Sequence, residues 1–157
     1  YDGESACETR VWIPPVRLKR QMKKCGGKTA IPTLRGGRID IRLAPSRDGI
    51  ETSGLKGVVL RWEEFAAIVT KANELGGTMY RGDSAARNGA KIGSDELPPE
   101  TIDGFVSTRF YGAAEGDTTQ SRSTYYAGIL DWAGIAKNHI SEGKGGYITI
   151  QAPFRKC

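Results

Sequence analysis

The side chains with chemistry to offer in this chain are cations and tyrosines. Lys28, Arg38, Arg42, Lys56, Arg109 and Arg122 fall in or beside alternating and turn-rich segments, with Tyr111 and Tyr126 close to the last two. Cations displayed on extended backbone neutralise phosphates, and tyrosine rings among them offer faces on which unpaired bases can rest. Alternation puts Tyr111 on the same side as Arg109, either as such a face or as a ring capping a sheet edge. Tyr125-Tyr126 must send one of its rings away from the core if the run is a strand. Catalytic constellations are missing by contrast. His139 is the single histidine, late in a helical pattern, where it suits the helix dipole. Glu63-Glu64 suits a helix start for the same reason. Gly27-Lys28-Thr29 has the tail of a phosphate loop, but Met22 stands where the first glycine is needed. Cys7, Cys25 and Cys157 are far apart with no Cys-x-x-Cys spacing, which argues against a disulfide framework or a structural zinc and fits a reducing compartment. The expectation is a non-enzyme with no catalytic residue, metal or cofactor.

Composition points the same way. The 157 residues are 38% hydrophobic and 26% charged, which is globular, and the net charge of +5 favours polyanionic partners. No apolar run nears the roughly 20 residues that span a bilayer, so no membrane partner is expected. The chain begins at Tyr1 rather than Met, as a processed organellar protein or a fragment would. A mitochondrial location is the expectation, with nucleus or cytoplasm as the alternatives.

The elements that must position these residues divide the chain into four stretches. Residues 1–28 form a basic N-terminal arm. Within it Val16 to Lys28 carries six basic residues and no acid; a helix there puts Leu18 and Met22 on one face and stops at Gly26-Gly27. Such an arm either lies along phosphates or is a solvated local helix. Residues 29–80 form a first sheet-and-helix unit. A strand from Thr29 turns at Gly36-Gly37 into Ile39, Ile41 and Leu43 alternating with Arg38, Asp40 and Arg42, and Pro32 marks the first strand as an edge. Val58-Val59-Leu60 leads to a helix burying Phe65, Ile68, Val69, Ala72 and Leu75, stopped by Gly76-Gly77 before a short strand at Thr78-Met79-Tyr80. Residues 81–104 are a long polar loop, basic at Arg81, Arg87 and Lys91 and acidic from Asp95 to Glu100. Its Arg81-Gly82-Asp83-Ser84 spells an adhesion tetrapeptide, with nothing else extracellular around it. Residues 105–157 form a second unit with a C-terminal strand at Tyr147 to Ile150.

The first unit has a relative in kind. Ile39-Asp40-Ile41-Arg42, Lys56-Gly57-Val58-Val59-Leu60 and Phe65 resemble the positive-cofactor-four transcriptional coactivators. That resemblance implies single-strand binding on an antiparallel sheet and pairing through helices. Leu43-Ala44-Pro45 departs from the family, which often has aromatics there. An internal echo extends the likeness: Val106-Ser107-Thr108-Arg109-Phe110 follows Ile39 to Leu43, Ile129-Leu130-Asp131-Trp132 follows Val59 to Trp62, and Gly145-Gly146 follows Gly76-Gly77. A unit of about 60 residues hides its helix poorly alone, so two copies would shelter one another. The tandem arrangement resembles the Whirly family and the guide-RNA-binding proteins of kinetoplastid mitochondria. The expected fold class is α+β: two antiparallel-sheet-plus-helix repeats, their helices packed as an intramolecular pseudo-dimer, with Trp62 and Trp132 as core anchors. The expected partner is single-stranded RNA or DNA, bound through Lys28, Arg38, Arg42, Lys56, Arg109, Tyr111, Arg122 and Tyr126 with low sequence specificity. The alternative is a structural subunit of a large ribonucleoprotein, such as a mitochondrial ribosome or RNA-processing complex, with other protein subunits as partners. Either reading admits homo- or hetero-oligomers.

Overall fold

Period-two alternation in the first half becomes an antiparallel meander. A computed structural model of the chain describes residues 13–140 and 145–156. The expectations for Cys7 and Cys157 lie outside the described residues. Strands β1 (Lys28–Pro32), β2 (Arg38–Leu43), β3 (Gly49–Thr52) and β4 (Leu60–Arg61) lie in that order in one four-stranded sheet. On β2, Ile39 and Ile41 are buried while Arg38, Asp40 and Arg42 face solvent, as the alternation requires. The β1–β2 turn closes through Thr33 N–H to Gly37 O at 2.9 Å, with Gly36 at φ 88°, a backbone state that suits glycine. Gly49 is needed for another reason: a Cβ there would strike the backbone of Leu60 on the neighbouring strand.

Two helices join the buried side of this meander in one core. Helix α1 (Pro14–Lys24) buries Leu18 and Met22 as its periodicity predicts, begins on Pro14-Pro15 and packs on α2 (Trp62–Glu74). Helix α2 buries Phe65, Ile68, Val69 and Ala72, and Leu75 at its C-cap is exposed. Trp62 is buried as an anchor, its indole N–H donating to Arg47 O at 2.8 Å.

The second half departs from the expected order of strands and then a helix. After β5 (Thr78–Tyr80) come three helices, α3 (Asp83–Arg87), α4 (Ile102–Phe110) and α5 (Ser123–Trp132), and then strands β6 (Ala136–His139) and β7 (Tyr147–Ile150). The segment expected to mirror β2, Val106 to Phe110, is therefore helical. Thr101 accounts for this: its hydroxyl accepts the Gly104 N–H at 3.2 Å as an N-cap, and Ile102 with Val106 then makes a buried i, i+4 pair. The helix expected to follow Trp132 instead ends there, at Gly134 with φ 75°, so His139 stands on a strand. The strands after the two Gly-Gly pairs do form. They join in a three-stranded antiparallel sheet ordered β5-β7-β6. The fold is thus α+β with two antiparallel sheets and one continuous core, in which Phe65 of α2 meets Tyr126 of α5 edge-on at 5.3 Å. No helix among the described residues is long and apolar enough to cross a membrane.

The stretch 81–104 is anchored at several points. Ile92 and Leu97 are buried, and so are Arg81 and Asp83, which lie 3.4 Å apart. Arg81 also donates to Asn138 Oδ1 and, at 3.1 Å, to His139 O. The adhesion-like tetrapeptide therefore turns its two charges inward, onto each other.

Candidate nucleic-acid interface

Three cations named from the sequence come together on the four-stranded sheet. The register pairs Lys28 with Arg42 and Arg42 with Glu51, a row of charge across β1, β2 and β3 on the solvent side. Lys56 enters from the loop after β3, and Lys28, Arg42 and Lys56 line one groove of about 780 Å³. The loop is zipped to β2 by Ser53 N–H to Asp40 O at 3.0 Å and Asp40 N–H to Ser53 Oγ at 3.3 Å. It also rests on α5: Gly54 lies so close to the Tyr125 hydroxyl that a Cβ would collide with it.

Within the groove the charges are only partly spent. Arg42 bonds Glu51 through Nε at 2.7 Å and Nη2 at 2.6 Å, yet its side chain stays 66% exposed. An exposed pair of this kind contributes about 0–1 kcal/mol, so a phosphate can compete for the guanidinium. Lys28 and Lys56 have no ion pair among the described residues. Thr52, 7% exposed and also lining the groove, has a buried hydroxyl with no hydrogen-bond partner. Such a group loses roughly 1–3 kcal/mol unless something supplies a bond. Arg38 stands on the same solvent face at the hairpin end and lies outside the groove lining.

Arg109, Tyr111 and Arg122 form a second cluster, in a setting that differs from the expected strand. Tyr111 caps the C-terminus of α4 and is 46% exposed. The Arg122 guanidinium lies 5.0 Å from its ring centre and that of Arg61 5.8 Å, while Arg109 lies over Phe110 at 5.5 Å. Two guanidiniums already share the tyrosine's π density, so Tyr111 is a partner of cations more than an open platform. Tyr126 is corrected outright. It is fully buried on α5, with its hydroxyl donating to Glu64 Oε1 at 2.6 Å, and cannot meet a base. Burial, and then Glu64, push its hydroxyl well above the ordinary phenol range.

Glu64, read from sequence as helix-start charge, is the centre of a buried polar junction. It accepts Arg61 N–H at 3.2 Å, Arg61 Nε at 3.0 Å, and the hydroxyls of Tyr126 and Tyr111. A signal was available, because Glu64 is four residues before buried Ile68 and so shares its face. Burial raises the Tyr111 hydroxyl, and its bond to Glu64 adds to the shift. A second buried carboxylate, Asp103, accepts the backbone N–H groups of Arg122 at 2.8 Å and Ser123 at 2.9 Å and the Ser123 hydroxyl at 2.7 Å, fixing the start of α5. Burial outweighs these bonds and lifts its pKa to about 7.

His139 stacks on Tyr147 at 4.5 Å with 15° between the rings, and its Nε2 is 2.9 Å from Thr149 Oγ1. Tyr147 in turn meets Tyr80 at 5.6 Å, so register partners on β6, β7 and β5 form one aromatic row. Among the described residues no group of three or more His, Cys, Asp or Glu side chains is placed to hold a metal ion. No family model, no curated protein and no solved structure matches the chain.

Proposed function

We propose that the solvent face of the four-stranded sheet binds single-stranded nucleic acid, RNA or DNA, with low sequence specificity. The observation that carries this is the convergence of Lys28, Arg42 and Lys56 on one groove. Lys28 and Lys56 neutralise phosphates, and Arg42 exchanges Glu51 for a third. None of these groups reads a base edge, so sequence matters little. Arg38 extends the cationic track along β2, while Arg109 and Arg122 add charge at the α4–α5 corner. The proposal rests on the first sheet and its helix, the part that resembles the coactivators; a tandem pseudo-dimer is not required by it.

Oligonucleotide binding measured across a salt series tests the reading. For single strands the logarithm of affinity should fall with the logarithm of salt by about 0.7 per neutralised phosphate. The Lys28→Ala/Lys56→Ala variant should flatten that slope by about 1.4 and weaken binding equally for unrelated sequences. A salt-independent response, or a double variant that binds like the parent, would reject the proposal.

One observation favours the ribonucleoprotein-subunit reading. Helix α1 exposes Ile13 and Val16, each 49% accessible, beside Lys19, Arg20, Lys23 and Lys24. A mixed apolar and basic helix face suits a site where RNA and protein meet. Footprinting on a long structured RNA separates the two: protection centred on α1 with the groove lysines left reactive supports the subunit reading.

A further inference from the structure

We propose that the free edge of β5 is a docking strand for an extended, lysine- or arginine-rich segment of a partner protein, which joins the three-stranded sheet as a fourth strand. The inference is independent of the nucleic-acid reading and concerns another face of the molecule. In the β5–β7 ladder, Ile150 N–H bonds Gly77 O at 2.9 Å and Arg81 N–H bonds Gly146 O at 2.9 Å. Antiparallel geometry then directs the Met79 amide and carbonyl toward β7 and those of Thr78 and Tyr80 off the edge. Among the described residues no hydrogen bond reaches the four outward groups. The edges of β1 and β6 each lack a donor that β5 keeps. The outward positions of β1 include Pro32, which has no N–H, and the outward Asn138 N–H of β6 is taken by Asp131 Oδ2 at 2.8 Å.

The space beside β5 fits a strand of one charge type. A groove of about 1060 Å³ separates this edge from α3 and the loop that follows it, with Leu75 and Met79 on its apolar side. Asp95, Glu96 and Glu100 line it, none of them in an ion pair, and no Lys or Arg among the described residues does so. Tyr80, 39% exposed, ends the aromatic row at this edge, so a cation on the incoming strand can lie over its ring. Main-chain bonds to Thr78 and Tyr80 supply affinity, and the three carboxylates select the basic sequence. The same carboxylates repel a nucleic-acid strand.

The test uses the whole protein and a hexapeptide of alternating Lys and Val, with two controls: the Glu and Val counterpart, and the Lys and Val peptide methylated at every backbone nitrogen. Fluorescence anisotropy should show binding of the first peptide and at least about tenfold weaker binding of both controls. Amide exchange on the complex should slow at Thr78 and Tyr80 and stay unchanged at Met79, already held in the ladder. Asp95→Lys/Glu96→Lys, two exposed substitutions, should weaken the peptide by about tenfold or more while leaving oligonucleotide binding at the other sheet intact. Equal binding of the methylated peptide, or unaltered exchange at Thr78 and Tyr80, overturns the proposal. So does protection of those amides by an oligonucleotide.

Discussion

The two sheets share antiparallel pairing but differ in what they show to solvent. The four-stranded sheet displays Lys28, Arg38 and Arg42 on its face and closes one edge with Pro32. The three-stranded sheet displays Tyr80, Tyr147 and His139 in a row and leaves the outer edge of β5 unpaired beside carboxylates outside any ion pair. One offers charge from side chains on a face; the other offers backbone bonds along an edge. The difference teaches that secondary structure does not select a partner here. The outward residue at each alternate position does, and a single proline or carboxylate decides whether an edge can take another strand.

The comparison supposes that the two sheets belong to one cooperative structure, and the largest effect tests that. Glu64→Ala removes the acceptor shared by Arg61, Tyr111 and Tyr126, leaving the buried Tyr126 hydroxyl without it. Stranding the buried Tyr126 hydroxyl costs about 1–3 kcal/mol, and losing the charge-assisted bonds to Arg61 and Tyr111 adds about 1.5–3 kcal/mol. Urea unfolding should shift by that amount, in one transition reported alike by probes in either sheet. Two separated transitions would show that the sheets unfold independently.

A pH series then asks whether the two halves respond differently. The Asp103 carboxyl keeps its proton up to about pH 7 in the folded protein, against about 3.8 when unperturbed. Between those values the folded state binds more protons than the unfolded one, so this group's contribution is full below the lower pKa and is lost as pH rises toward the higher. At about 1.4 kcal/mol per unit, the loss across the window is roughly 4 kcal/mol. Stability of the parent minus that of Asp103→Asn should fall by roughly this much from pH 4 to pH 8. A difference independent of pH would contradict the assignment. The loss of oligonucleotide binding on Lys28→Ala/Lys56→Ala should not follow it, because Asp103 lies outside the basic groove.

The smallest effect concerns the aromatic row. Tyr147→Ala removes the ring between Tyr80 and His139, and two ring contacts at about 0.5–1.5 kcal/mol each set the expected loss. The change should leave the salt slope of oligonucleotide binding untouched. A loss of slope would place nucleic acid on the second sheet as well.

The first half was legible because its signals are local. Alternation through Arg38 to Leu43, the Gly36-Gly37 turn and the helical spacing of Phe65, Ile68, Val69 and Ala72 each point to the element that forms. They also place Arg42 on the solvent face, whereas Lys28, read as the end of the basic arm, and Lys56, on a loop, join it only in the folded chain. In the second half Val106-Ser107-Thr108-Arg109-Phe110 alternates as a strand would, and what overrides it is the Thr101 cap two turns earlier together with burial of Ile102. The likeness of Ile129 to Trp132 to the approach of α2 misled for a related reason: Gly134 ends that helix where the echo would begin one. Glu64 and Tyr126 stayed hidden because their meeting joins distant parts of the chain, and no window of sequence contains both. Thr52 is similar. Its unsatisfied hydroxyl is visible only after the loop folds back beside β3.

The Glu64 junction has a consequence for any attempt to treat the basic sheet as a portable module. Its covering helix carries a carboxylate whose two phenol donors arrive from the far end of the polypeptide. Transplanted by itself into another protein, the sheet and its helix would bring a carboxylate stripped of both phenols, held by Arg61 alone, to a surface meant to be oily. A graft that keeps its shape would have to borrow both tyrosines, or exchange Glu64 and Arg61 together for a matched apolar pair.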